Sequence, residues 1–72
     1  MSNVEKIALL AECMEVEADE LRLEALLEDY DEWDSVTALT FIAMVDEKFK
    51  KTLTGQQVKA VRTVAEAIAL ME

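Results

Sequence analysis

Residues 34–50 read DSVTALTFIAMVDEKFK, and the pattern of this stretch decides the fold. Its apolar side chains recur at steps of three and four residues, which is the spacing of one helix face. Asp34 is a favoured N-cap residue, and lysines stand near the other end, where cations suit the helix dipole. The stretch therefore predicts an amphipathic helix over about residues 35–50. The side chains expected in its core stripe are Leu39, Ile42, Val45 and Phe49, widened by Ala38 and Phe41.

Upstream of this helix, residues 3–15 predict another one. Ser2 and Glu5 have the spacing of a capping box. Residues 16–34 carry leucines between acids with no sustained period, which predicts a long, partly ordered loop held by those leucines. The apolar stripe expected on the first helix consists of Val4, Ile7, Leu10 and Met14.

Downstream, residues 52–55 break the helical pattern, and Thr54 can cap a short turn through Val58. Thr63 and Glu66 have the capping-box spacing for a last helix. We therefore expect an all-α fold, a small helical bundle of three main helices plus one short helix, with a long loop between the first and second helices. The apolar residues expected on the last helix are Val64, Ala67, Ile68 and Met71.

The composition agrees with one small helical domain, which we expect to span residues 1–72. Hydrophobic residues make up 53% of the chain and charged residues 32%, a balance typical of a folded protein rather than a disordered one. One glycine and no proline leave few turn residues, which disfavours a fold of many short strands.

Missing residue types exclude several function classes. The absence of histidine rules out Ser-His-Asp and Cys-His catalysis and histidine-based metal sites. The only cysteine, Cys13, allows no internal disulfide, and we expect a small, partly buried hydrophobe there. An EF-hand loop starting at Asp29 is disfavoured, because Trp33, Asp34 and Thr40 occupy positions that require other residues.

The net charge of −9 argues against binding to nucleic acid and to anionic membranes, and it favours basic partners or simple solubility. Eleven acids lie between Glu12 and Asp34, where Arg22 is the only base. The N-terminal segment lacks a basic region, and no apolar stretch approaches the roughly 20 residues of a membrane span. We therefore expect a cytoplasmic protein without a signal peptide.

Ser35 stands out on local grounds. With Asp34 as N-cap, Ser35 occupies the first helical position, where its hydroxyl is expected to be exposed near the positive end of the helix dipole. A phosphate attached there would be favoured by the dipole. No histidine is present to activate the hydroxyl, so any chemistry at Ser35 would be driven by another protein.

The stretch from Trp33 to Val36, followed at fixed spacing by an amphipathic helix and a Thr-Val-x-x-Ala-Ile segment, resembles the acyl carrier protein family, whose members are also called peptidyl or aminoacyl carrier proteins. The likeness covers nearly the whole chain. Beyond the serine junction, the residues that carry it are Leu39, Ile42, Val45, Asp46, Glu47, Phe49, Leu53, Val61, Arg62, Thr63, Val64 and Ile68.

This resemblance implies that Ser35 carries a 4′-phosphopantetheine arm, transferred from coenzyme A by a phosphopantetheinyl transferase that recognises the junction at Asp34. The thiol of the arm would hold acyl or aminoacyl groups as thioesters, and the chain itself would be no enzyme. The implied partners are the transferase, an acylating or adenylating enzyme, and downstream synthases or transferases with basic surfaces. We expect the carrier to act as a monomer.

Several residues depart from the pattern of fatty-acid carriers. Glu32 stands where those usually have glycine, and Val36 replaces a leucine. Thr37 and Thr40 occupy positions that often hold acids, so the acidic residues are concentrated in the loop instead. These departures favour a carrier in a specialised biosynthetic pathway. The alternatives are a general fatty-acid acyl carrier protein and a helical protein-interaction module without the arm.

Two groups of residues are candidates for partner contact. Val36, Thr40, Met44 and Glu47 share one face of the second helix, which is either a recognition face or half-buried core. Asp31 and Glu32 stand with Asp34 beside the serine and could supply charge. Trp33 is expected to pack at the junction, with partner contact as the alternative.

Overall fold

The computed structural model describes residues 2–71. This part of the chain forms four helices and contains no strand, so the predicted all-α bundle is confirmed. The helices are α1 (Asn3–Met14), α2 (Ser35–Phe49), α3 (Gly55–Lys59) and α4 (Val64–Ala69). The last helix, expected as a main one, spans six residues. Within the same residues, no helix is long and apolar enough to span a membrane.

The helix starts lie where the capping residues predict them. Ser2 and Glu5 form the expected reciprocal box at α1, and Thr54 caps α3 together with Gln57. Thr63 caps α4 by accepting a 3.2 Å hydrogen bond from the Glu66 backbone N–H. The Glu66 carboxylate accepts from the backbone N–H of Arg62, so its side chain reaches one residue beyond the cap.

The core draws side chains from every helix and from the long loop. The predicted apolar residues of the last helix are all buried, and Leu10 and Met14 are buried as expected on α1. Val4, expected in the same stripe, is 77% exposed, because it lies in the first turn beyond the packed part of the helix. The largest fully buried side chains are Phe41, Leu10, Met14, Leu27, Met71, Val45, Val58 and Val64.

α2 turns most of the predicted stripe to the core, since Ala38, Ile42 and Phe49 pack against the buried cluster, and only Leu39 departs from it. Phe41 and Val45 are fully buried, whereas Leu39, expected in the core stripe, is 68% exposed. Apolar residues surround most of this helix, so its periodicity does not define a single buried face. Residues two apart point to nearly opposite sides of a helix, and burying the ring of Phe41 removes more apolar surface from water than burying Leu39.

The segment between α1 and α2 is more ordered than predicted. It contains 3₁₀ turns at Ala18–Glu20 and Leu27–Asp29, and its leucines at 21 and 27 are buried as expected. Backbone hydrogen bonds join it to Arg62 and to the first turn of α4, at Leu27 N to Arg62 O (2.8 Å), Val64 N to Ala25 O (3.1 Å) and Ala65 N to Leu23 O (3.0 Å). These bonds fix the segment that leads to Ser35.

Candidate functional site

The N-terminus of α2 presents Ser35 to solvent. Asp34 is the N-cap, as predicted, and its side chain accepts a 2.9 Å hydrogen bond from the backbone N–H of Thr37. Ser35 is therefore the first helical residue, and its side chain is exposed. The helix dipole makes this end of α2 favourable for negative charge.

The cap also controls the ionisation of Asp34. The hydrogen bond from the Thr37 backbone N–H is the main cause that lowers the pKa of Asp34, and the Thr37 side chain adds to it. These bonds favour the carboxylate over the neutral acid. Asp34 therefore stays an ionised cap at neutral pH, immediately beside the serine hydroxyl.

The buried side chain of Thr37 stabilises the loop that precedes Ser35. It is buried rather than exposed, contrary to its expected place at a position that often holds acids. Its hydroxyl donates a 2.6 Å hydrogen bond to the backbone carbonyl of Glu32. A threonine suits this position because its branched side chain fills buried space while its hydroxyl bonds to the loop backbone.

Trp33 packs at the junction, as predicted. Its ring meets that of Phe41 edge to face, with centroids 5.9 Å apart and planes at 70°. The backbone N–H of Trp33 donates to the carbonyl of Tyr30, and the Tyr30 hydroxyl donates to the carbonyl of Glu20 at 2.6 Å. The junction is thus anchored to the core on one side and to the loop on the other.

An open groove of about 460 Å³ begins at the serine and runs between α2 and α3. Its walls are mostly apolar, and Asp34 and Lys59 are its charged residues. Sequence reasoning did not identify the α3 side, because no local pattern indicates which residues α3 presents to α2. The lining residues are Trp33, Asp34, Ser35, Ala38, Leu39, Ile42, Gly55, Val58 and Lys59.

The predicted partner-contact residues lie outside this groove. Val36 is 71% exposed, Thr40 and Glu47 are exposed, and Met44 is half-buried against the core. Asp31 and Glu32 are exposed on the approach to the serine. The exposed Leu39 adjoins both regions and belongs to this surface, although its sequence pattern suggested a core role.

Other reactive groups do not complete a catalytic site here. Cys13 is half-buried, as predicted, and burial, together with the nearby charge of Glu12, raises the pKa of its thiol. Residues 2–71 contain no group of three or more Cys, Asp and Glu side chains placed to hold a metal ion. The site therefore consists of an exposed hydroxyl, a capped helix end and an apolar groove.

Comparison with known families identifies the family of the chain. Residues 7–71 match the family model described as the phosphopantetheine attachment site. The chain belongs to this family of carrier proteins. Neither the search of curated proteins nor the search of solved structures returned a match. The likeness to acyl carrier proteins and the covalent 4′-phosphopantetheine group that it implies are both confirmed.

Carriers of this family are not enzymes, and they interact with phosphopantetheinyl transferases and with biosynthetic enzymes. When bound, the arm supplies a thiol that holds its cargo as a thioester. The carrier described here fits such a group, since an exposed hydroxyl at a helix N-terminus opens onto a largely apolar groove. A phosphate joined to that hydroxyl would lie at the positive end of the α2 dipole.

Proposed function

We propose that Ser35 is the residue that receives the 4′-phosphopantetheine arm. The observation that carries this proposal is its place as the exposed first residue of α2, directly after an N-cap and at the mouth of the groove. The other serine, Ser2, caps α1, and its hydroxyl lies 3.2 Å from the Glu5 carboxylate. The Ser2 hydroxyl also accepts from the Glu5 backbone N–H, so modification of Ser2 would disrupt the cap of α1.

The surrounding residues would then have supporting roles. Asp34 fixes the start of the helix and presents a carboxylate to the transferase. Thr37 and Trp33 hold the approach in place, so that the hydroxyl faces solvent at a defined position. The groove offers an apolar surface along which the arm can lie. We propose that residues 1–72 act together as one carrier domain, as a monomer in the cytoplasm.

We further propose that the cargo belongs to a specialised pathway and is an acyl or aminoacyl group. Along α2 the charged residues are Asp46, Glu47 and Lys48, so the helix is nearly neutral. Fatty-acid partners, by resemblance to the family, present basic side chains to acids on this helix. The exposed side chains of Val36 and Leu39 instead favour an apolar contact. The general fatty-acid carrier remains the alternative.

Recognition would combine two kinds of contact. Val36, Thr40, Met44 and Glu47 would form the face that partners meet on α2, and Asp31, Glu32 and Asp34 would add charge beside the serine. Buried apolar anchors chiefly set dissociation, whereas charges at the rim set the association rate and its salt dependence.

Two experiments test these proposals. Incubation with coenzyme A and a phosphopantetheinyl transferase, followed by intact-mass measurement, distinguishes a carrier from an interaction module that never receives the arm. Loading of the modified protein is then compared between a malonyl-transferring enzyme of fatty-acid synthesis and an adenylating enzyme from a specialised pathway. We expect loading by the second class, and efficient loading by the first alone would establish the fatty-acid alternative.

A further inference from the structure

Positive charge is concentrated in one part of this acidic chain. Residues 48–65 contain five of the seven cations and no acid, whereas the preceding residues hold only Lys6 and Arg22 as bases. This segment thus has a local charge of +5 in a protein of net charge −9. The five cations are Lys48, Lys50, Lys51, Lys59 and Arg62.

These cations face solvent rather than neutralising the acids. Lys51 is half-buried and the other four are exposed. Over residues 2–71, the structure records no ion pair for any of the five. Surface cations that form no ion pair with the described residues remain available to a partner.

One of the cations, Lys59, borders the proposed arm site, and Arg62 shares a neighbouring pocket with it. Lys59 lines the groove that begins at Ser35, and it also lines a neighbouring pocket of about 310 Å³ together with Arg62. Leu26, Glu28 and Val61 complete the pocket. We call Lys59 and Arg62 the basic rim. Lys59 lies on the α3 side of the groove and Arg62 lies in the adjoining pocket, whereas the exposed acids Asp31, Glu32 and Asp34 precede or cap α2.

A partner that reaches Ser35 therefore meets opposite charges on two sides of the groove. We propose, on the basis of the proposed arm site at Ser35, that the enzyme loading this carrier presents acidic side chains to the basic rim and basic side chains to the acids before α2. A surface with charges of both signs fixes the orientation in which the carrier docks on the enzyme around its arm. It also rejects enzymes whose carrier-binding surface is uniformly basic, because like charges would meet at Lys59 and Arg62.

Charge reversal with a matched control isolates this effect. The test variant carries Lys59→Glu and Arg62→Glu, and the control carries Lys48→Glu and Lys50→Glu. Both change the net charge equally, and α2 separates the control pair from Ser35 by about 20 Å along the helix. Thermal unfolding of both variants verifies that they are folded.

Two enzymes serve as probes in steady-state assays at low and moderate salt. The first is the enzyme that loads the wild-type arm. The second is a phosphopantetheinyl transferase with a basic carrier-binding surface, supplied with coenzyme A. We expect the rim reversal to lower kcat/KM of the loading enzyme about tenfold at low salt and to raise that of the basic transferase severalfold. The control should change neither by more than about twofold.

Rim reversal is expected to slow the loading enzyme and to speed the basic transferase, whereas a loss of folding would slow both. A failure of this proposal can also be distinguished from a failure of the proposed arm site at Ser35. Equal effects of the two variants on the loading enzyme, or faster loading after rim reversal, would overturn it. Concentration-dependent self-association of the wild type that rim reversal abolishes would assign the surface to a second copy of the chain. If intact mass shows no arm on Ser35 in the wild type, the proposed function fails instead.

Discussion

The hydroxyl of Thr37 lies 2.6 Å from the carbonyl oxygen of Glu32 and donates a hydrogen bond to it. Because the Thr37 backbone N–H also bonds to the side chain of Asp34, one buried residue holds both the cap and the loop before Ser35. The position of the serine therefore depends on a side chain that faces away from solvent.

Replacing this hydroxyl is expected to loosen the junction. Thr37→Val keeps the shape of the side chain but removes the donor, and we expect a loss of about 0.5–1.5 kcal/mol in the free energy of unfolding. Thr37→Ser is the matched control, since it keeps the hydroxyl. Denaturant titration measures both, and arm transfer to Thr37→Val should be slower. Equal stability of the valine variant and the wild type would show that the bond to Glu32 contributes nothing.

The orientation of α2 is tested by two neighbouring positions. Phe41→Ala should cost about 3–5 kcal/mol, because it leaves a cavity in the core. Leu39→Ala should change the free energy of unfolding by no more than about 0.5 kcal/mol, since the side chain is exposed. Urea unfolding of the two variants checks this. A large loss for Leu39→Ala would instead place Leu39 in the core, as the sequence pattern predicts.

Sequence patterns predicted the helix starts here because capping is local. Ser2, Asp34, Thr54 and Thr63 act within three residues of themselves, so their roles can be recognised from spacing alone. The orientation of α2 depends instead on which of many apolar residues packs best against the other helices.

The order of the loop and the α3 wall of the groove arise from contacts between distant segments. Backbone groups alone form the bonds between Leu27 and Arg62 and between Ala25 and Val64. Every residue type has a backbone C=O, and every type except proline has a backbone N–H. Side-chain identity therefore gave no signal for them. Lys59 likewise reaches the groove only through the packing of α3 against α2.

Lowering the pH should weaken the Asp34 cap of α2 over a defined pH range. Hydrogen bonds from Thr37 lower the folded-state pKa of Asp34 below its unfolded value of about 3.9. The ionised Asp34 cap therefore contributes its full stabilisation at pH values above that unfolded pKa. This contribution is lost as the pH falls through the lower folded pKa. NMR titration of Asp34 should show the lowered pKa.

Asp34→Asn provides the control for this titration. Asparagine caps helices about as well as aspartate but does not ionise. We expect this variant to lack the Asp34 contribution to the pH dependence while staying folded near neutrality. An unchanged slope of stability against pH between about 2 and 4 would contradict the assignment.

Screening should stabilise the acidic loop. Eleven acids between Glu12 and Asp34 repel one another, so moderate salt should raise the Tm. Residues 2–71 contain no cluster placed to hold a metal ion, so magnesium and sodium chlorides at equal ionic strength should act similarly. Thermal scans at matched ionic strength decide this. A far larger gain with magnesium would indicate a specific site, and no gain would show that the acids are well solvated.

Partner contact on α2 should depend on apolar side chains. Met44→Ala should slow turnover with the loading enzyme by weakening binding, at a cost of about 1–2 kcal/mol if Met44 is an anchor, and Asp46→Lys should matter less. Because Met44 is half-buried, Val36→Ala is the cleaner variant, with weaker binding and unchanged stability. Steady-state kinetics compare the three. Severe loss for Asp46→Lys alone would indicate the recognition mode of fatty-acid carriers.

The central claim is that Ser35 bears the arm, and the two serines of the chain allow one direct measurement. Wild type, Ser2→Ala and Ser35→Ala are incubated with coenzyme A and a phosphopantetheinyl transferase, and their intact masses are measured. We predict the mass of the arm on the wild type and on Ser2→Ala, and none on a folded Ser35→Ala. An arm on Ser35→Ala, or its loss in a folded Ser2→Ala, would contradict the assignment.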